Sequence, residues 1–130
     1  AQGKLERINI FGNDWDTRDG TGIRDYIHVM DLAEAHYLTL KYLLDNSPQF
    51  LNLNIGTGIG TTVFELINKF SSVNDCYIPF QISKRRKGDV SSLIADNKKA
   101  LKLLNWSPKR DLEIMCKDGW RWQKLNPNGY

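Results

Sequence analysis

The stretch Ile8–Leu32, INIFGNDWDTRDGTGIRDYIHVMDL, decides how the rest of the chain is read. Ile8-Asn9-Ile10-Phe11 is a β-branched and aromatic run that stops at Gly12, the pattern of a short strand. Residues 12–22 are rich in Gly, Asp and Thr, the composition of a loop that turns and exposes polar groups. From Gly22 the chain climbs through a β-like run and then enters a helix. Arg24 sits where the loop becomes ordered, and a guanidinium placed there suits a bidentate contact to a phosphate.

Further along, Asp31 with Glu34 three residues on reads as a capping-box helix start. Leu32, Ala35, Leu38 and Tyr42 mark one face of that helix. Ala33, Leu40 and Leu44 broaden it, so the helix is expected to be buried over much of its circumference and to end near Asp45-Asn46-Ser47-Pro48. Phe50–Ile55 alternates in strand fashion. Gly56-Thr57-Gly58-Ile59-Gly60 breaks it. Thr62 and Glu65 form a second capping box, with Val63, Leu66, Ile67 and Phe70 as the stripe behind it. Ile78, Phe80 and Ile82 alternate as another strand, and Pro79 within it argues for a sheet edge. A basic segment, Lys84–Lys87, follows. Asp96 or Asn97 caps a short helix carrying Ala100, Leu101 and Leu104. The last helix runs from about Leu112 to Lys124, with Met115, Cys116 and Trp122 on one side. Gly119 inside it costs about 1 kcal/mol against Ala, which points to close packing there. Strands alternating with helices give an α/β fold.

Composition narrows the function. With 41% hydrophobic and 25% charged residues, the 130-residue chain reads as one soluble domain. No apolar run approaches the roughly 18 residues of a membrane helix. The short charged start reads as the end of something cut upstream, not as a signal peptide. Cys76 and Cys116 match no metal spacing and suggest a reducing, cytoplasmic setting. His28 and His36 have no partner at ligand spacing, so no metal site is expected. A net charge of +3 permits an anionic ligand without requiring nucleic acid.

The wording of Phe11–Ala33, together with Asn52-Leu53-Asn54-Ile55-Gly56, Arg85-Arg86-Lys87-Gly88-Asp89 and the closing Asp118–Tyr130, resembles the UDP-glucose 4-epimerases of the extended short-chain dehydrogenase group. The resemblance runs along essentially the whole chain and matches only the C-terminal part of such an enzyme. It implies a Rossmann-type α/β protein in which residues 1–130 form the nucleotide-sugar-binding part. The NAD-binding Rossmann domain and the catalytic Tyr and Lys would lie upstream. The implied reaction interconverts UDP-glucose and UDP-galactose through a 4-keto sugar, with NAD taking and returning the hydride. This chain alone would then be inactive, and the full enzyme would be a homodimer with no nucleic-acid or membrane partner. A related nucleotide-sugar dehydratase or decarboxylase, and a non-catalytic nucleotide-sugar-binding module, stand as alternatives.

The resemblance also implies residue roles. Arg24 and Arg86 would hold the diphosphate, and Asp89 would accept hydrogen bonds from the ribose. Phe11, with the backbone of Asn9 beside it, would form the uracil pocket. Leu93 would line the sugar pocket and set its tolerance for a 2-acetamido group. Without the resemblance, Arg86 reads as part of a solvated basic loop, Asp89 as a turn residue, and Phe11 and Leu93 as core.

Two motifs are set aside. Tyr37-Leu38-Thr39-Leu40-Lys41 spells YxxxK, but such a match arises readily by chance, and Tyr37 is assigned to the helix core. The Gly56/Gly58/Gly60 turn is spaced GxGxG, not GxGxxG. No acidic residue closes a following strand, so it reads as a structural turn. The four tryptophans are assigned to packing.

Overall fold

The computed structural model describes residues 1–129; Tyr130, the last residue of the closing motif, lies outside them. β1 (Ile8–Phe11) pairs in parallel with β4 (Phe80–Ser83), Ile10 opposite Ile82. A second sheet has the order β3 (Thr61–Thr62), β2 (Ile23–Arg24), β5 (Ser92–Leu93), antiparallel on one side of β2 and parallel on the other. Four helices complete the α/β fold: α1 (Val29–Asp45), α2 (Val63–Asn74), α3 (Lys98–Leu104) and α4 (Leu112–Leu125).

Two cores hold these elements. Ile10 of β1, Ile67 of α2 and Ile78 bury together, with Val63, Phe64 and Phe70 packed against them. Helix α2 lies on α4, where Phe70 and Trp120 meet edge to face at 5.9 Å. The second core joins Ala35 of α1 to Leu104 and Trp106, with Leu38, Tyr42, Leu53 and Ile55 around them. The predicted stripes of α1 and α2 are therefore the ones used.

Helix α1 begins differently from the sequence expectation. Its N-cap is His28, whose Nδ1 accepts from the Met30 amide at 3.0 Å. That leaves Nε2 to carry the proton and face Asp118 of α4 at 3.2 Å. Asp31 is no cap. It is fully buried, and its Oδ2 accepts from the amides of Lys109 (3.0 Å) and Arg110 (2.9 Å), while Oδ1 accepts from the Arg110 guanidinium. Burial alone would push the Asp31 carboxyl up, but these donors outweigh it and hold the carboxyl below its ordinary value.

Other expectations are also corrected. Phe50–Ile55 keeps its alternation, with Leu53 and Ile55 inward and Asn52 and Asn54 exposed, yet no strand of the described residues pairs with it. Pro79 precedes β4 instead of interrupting it, and its carbonyl accepts from the Ile8 amide at 2.9 Å. α1 is not buried all round: Val29, Met30, Tyr37, Leu40 and Leu44 are exposed, so Tyr37 packs in neither of the two cores of this chain. On α4 the side turned to α2 carries Cys116 and Trp120; Met115 and the exposed Trp122 line an open hollow instead. A Cβ at Gly119 would touch nothing, so no close approach explains that glycine. Neither candidate cap of α3 behaves as a full cap. Asp96 accepts weakly from the Lys98 amide at 3.3 Å, and the Asn97 amide group donates to the Gly56 carbonyl at 2.8 Å.

The loop between β1 and β2 is fastened to the start of α2. Thr62 and Glu65 close the expected capping box. Asp19 accepts from the amide and hydroxyl of Thr21 and from the Thr62 hydroxyl. Arg18 clasps both Glu65 oxygens and donates to the Gly60 carbonyl at 2.8 Å. The Arg18 guanidinium, then the Thr62 amide, bring the Glu65 carboxyl down from 4.5 to about 2.

Two outcomes follow for stability. Thr62→Ala lowers the unfolding free energy by about 0.5–2 kcal/mol in urea titration, the range for a lost N-cap. Because the folded state favours ionised Glu65, its contribution is complete above pH 4.5 and lost as pH falls toward about 2. Glu65→Gln flattens the urea-midpoint profile in that window, and the wild-type slope shrinks in high salt because the pair is half exposed.

Candidate functional site

The alternation of β1 and β4 brings Asn9, Phe11, Gln81 and Ser83 to one face of their sheet. Asn9 Oδ1 accepts from Gln81 Nε2 at 2.6 Å and Ser83 Oγ at 3.2 Å. Beyond this face the basic segment folds back. The Arg86 guanidinium lies 4.5 Å from the centre of the Phe11 ring, and its Nε donates to Asp89 Oδ2 at 3.0 Å. Phe11, Arg86 and Asp89 therefore form one cluster.

Arg24 and Leu93 form a second cluster, opposite one another in the β2–β5 register. They share a cleft of ≈ 480 Å³ with Asn54, Ile94 and Ala95. Arg24 Nη1 donates to the carbonyls of Ile23 (2.7 Å) and Val90 (3.0 Å). Val90 follows Asp89 directly, so the segment Asp89–Leu93 connects the two clusters along the chain. Leu93 is 63% exposed, so it belongs to neither core of this chain.

Charge follows from this geometry. The Arg86–Asp89 pair has side-chain exposures of 60% and 24%, and pairs this exposed are worth about 0–1 kcal/mol.

Sequence reading missed the device that holds this loop. Arg85 stacks over Trp15 at 4.0 Å, and its Nε donates to Asp14 Oδ1 at 2.8 Å. The Arg85 contact holds the Asp14 carboxyl below its ordinary value. Trp15 Nε1 in turn donates to the Phe11 carbonyl at 3.1 Å. Gly12 makes the stack possible: its φ is +89°, and a Cβ there would lie 2.6 Å from Trp15 Nε1 and 2.8 Å from Arg85 Cγ. Neighbouring arginines in the sequence gave no sign that one would stack on Phe11 and the other on Trp15.

The Gly56–Gly60 turn is structural, as read from its spacing. The amides of Thr57 and Gly58 both donate to the Asp25 carboxylate at 2.9 Å. With those donors occupied, the turn does not suit a dinucleotide pyrophosphate. Among the described residues no His, Cys, Asp and Glu cluster could hold a metal ion.

The α/β fold is that of the C-terminal part of Rossmann-type enzymes of the extended short-chain dehydrogenase class. A family model described as GDP-mannose 4,6 dehydratase matches residues 1–119, and the chain belongs to that family. It is 49% identical over its whole length to a UDP-glucose 4-epimerase of Bacillus subtilis (strain 168), covering 38% of that protein. It is 42% identical over its whole length to the human UDP-glucose 4-epimerase, covering 37%. Among solved structures, UDP-glucose 4-epimerase from Bifidobacterium longum in complex with NAD+ and UDP matches with a TM-score of 0.92 at 38% identity, over 98% of this chain and 38% of that one. The chain thus spans under two-fifths of the length of the relatives it matches.

One outcome tests the loop clasp. Trp15→Ala removes the ring beneath Arg85 and the donor to the Phe11 carbonyl, together about 1–2 kcal/mol of local stability. Amide exchange at Gly12 and Asp89 is expected to accelerate roughly five- to thirtyfold, read by hydrogen exchange with NMR detection.

Proposed function

We propose that this chain is the nucleotide-sugar-binding, C-terminal part of a UDP-glucose 4-epimerase. The observation that carries the reading is the pair of linked clusters, Phe11, Arg86 and Asp89 in one and Arg24 and Leu93 in the other. Together they supply the chemistries a UDP-sugar asks for: an aromatic ring for the base, an acid for the ribose, two guanidiniums for the diphosphate, and an aliphatic wall for the hexose. Charge-assisted hydrogen bonds from paired arginines are the natural counterpart of a diphosphate. Asn9 flanks the base position. Relatives named UDP-glucose 4-epimerase that match this chain from end to end support this reaction over a dehydratase or decarboxylase.

In this reading NAD supplies the hydride chemistry and is held by a Rossmann domain preceding residue 1, along with the catalytic Tyr and Lys. The residues of this chain bind and orient the sugar nucleotide. The exposed stripe Met30, Tyr37, Leu40 and Leu44 of α1, with the apolar hollow of ≈ 780 Å³ between the start of α1 and α4, is the face we assign to that domain. An uncovered apolar surface of this kind is rarely left to water. The whole enzyme is then a cytoplasmic homodimer. No described helix is long and apolar enough to cross a membrane.

Three outcomes test the reading. Purified residues 1–130 with added NAD show no conversion of UDP-galactose; turnover would overturn the assignment of the chemistry to an upstream domain. In the natural polypeptide, Arg24→Ala or Arg86→Ala weakens UDP binding by roughly 1.5–3 kcal/mol in calorimetry, with NAD content unchanged. Leu93 is branched and cannot hydrogen-bond an acetamido group. Crowding by the extra atoms costs about 1–3 kcal/mol, so N-acetylated UDP-sugars are disfavoured by roughly 10- to 100-fold. Leu93→Ser narrows that gap in kcat/KM, and an unmoved ratio removes Leu93 as the gate.

A further inference from the structure

The β2–β5 pairing sets the distance between Arg24 and Leu93, yet it is only two residues long. A ladder this short is marginal by itself. What extends it is a side chain. Asp25, the residue after β2, has Oδ1 accepting from the amide (2.9 Å) and hydroxyl of Thr57. Its Oδ2 accepts from the amides of Gly58 (2.9 Å) and Ala95 (3.3 Å). Ala95 lies two residues beyond Leu93, so the carboxylate adds a rung to β2–β5 where backbone pairing has ended. The same carboxylate secures the turn that leads into β3, the other neighbour of β2. The backbone is fitted to this arrangement: a Cβ at Gly56 would fall 2.6 Å from both Asp25 Oδ2 and the Ala95 Cβ.

Asp25 belongs to the cleft lined by Arg24 and Leu93. All its donors are neutral groups of the chain, and four of them share its two oxygens. That arrangement fixes the carboxylate as an anchor and leaves little of it to meet a ligand.

We propose that Asp25 is the positioning residue of the nucleotide-sugar cleft, tying the diphosphate-binding arginine Arg24 to the sugar-facing Leu93 through Ala95. The proposal rests on the nucleotide-sugar reading above. It makes the two halves of the carboxylate unequal. Oδ2 holds the β5 side, which carries Leu93, whereas the Thr57 hydroxyl on Oδ1 holds only the turn.

The test uses the natural polypeptide in three forms: wild type, Asp25→Asn and Thr57→Val. Asp25→Asn keeps the shape but leaves one acceptor oxygen for four donors, so whichever way the amide turns, its NH2 group faces a backbone N–H, that of Thr57 on one side or those of Gly58 and Ala95 on the other. Thr57→Val deletes the hydroxyl and keeps both rungs on Oδ2. Asp25→Asn is expected to raise the UDP Kd at least tenfold and to raise KM for UDP-galactose with kcat within threefold. Exchange of the Ala95 amide accelerates in the ligand-free protein, and bound NAD stays at the wild-type level. Thr57→Val changes the UDP Kd less than threefold. Gly56→Ala, which pushes on the same oxygen, reproduces the Asp25→Asn pattern. Wild-type protein that binds UDP alongside an Asp25→Asn variant of equal affinity overturns this proposal alone. So does an equal loss in Asp25→Asn and Thr57→Val that tracks melting temperature. Wild-type protein that fails to bind UDP overturns the nucleotide-sugar reading, and this proposal with it.

Discussion

A backbone amide removed from water must find an acceptor, and in this chain the sheets are too short to supply enough of them. Strands of two to four residues leave the segment junctions outside any ladder. Three aspartates take over that duty. Asp19 gathers the Thr21 amide and two hydroxyls where the first loop meets α2. Asp25 gathers the amides of Thr57, Gly58 and Ala95 around β2. Asp31 gathers those of Lys109 and Arg110 where the chain turns into α4. Each joins segments distant in sequence, so the sheets and helices stand where these carboxylates place them. Removing one partner of such a cluster leaves buried donors unmet, at about 1–3 kcal/mol for each.

This explains what could be read from the sequence and what could not. Periodicity reports which face of an element is apolar, and the stripes of α2 and of the inner side of α1 follow from it. Thr62 and Glu65 form the box their spacing announces, because both halves of that motif are local. Asp31 has the same local signature and does something else, because its partners lie almost eighty residues away. No short-range pattern distinguishes an aspartate that caps its own helix from one that receives another segment. Phe50–Ile55 fails for a related reason: alternation is a property of one segment, whereas a strand also needs a partner. Apolar residues on the outer side of α1 predict burial there, and the described chain offers nothing to cover them.

The candidate site was legible where its chemistry resides in single residues. Arg24, Arg86, Asp89, Phe11 and Leu93 fall into two neighbouring clusters joined by one short segment, and Asn9 lies beside the first. Its supports were not legible. Arg85 and Trp15 meet only because Gly12 takes a conformation that leaves room for both, and Asp25 acts through amides that carry no identity in the sequence. The candidate binding groups are side chains of recognisable type; the scaffold that holds them is largely backbone.

The loop that carries Asp19 has a further consequence, for the chemical lifetime of the molecule. Asp19-Gly20 is a step prone to ageing, in which the glycine nitrogen attacks the aspartate side chain and closes a succinimide ring. Here the attacking nitrogen is engaged with the Thr17 carbonyl at 3.3 Å. The carboxylate under attack is held by Thr21 and Thr62. Ring closure would have to break both sets of bonds, so folding protects a peptide bond that the unfolded chain would leave vulnerable.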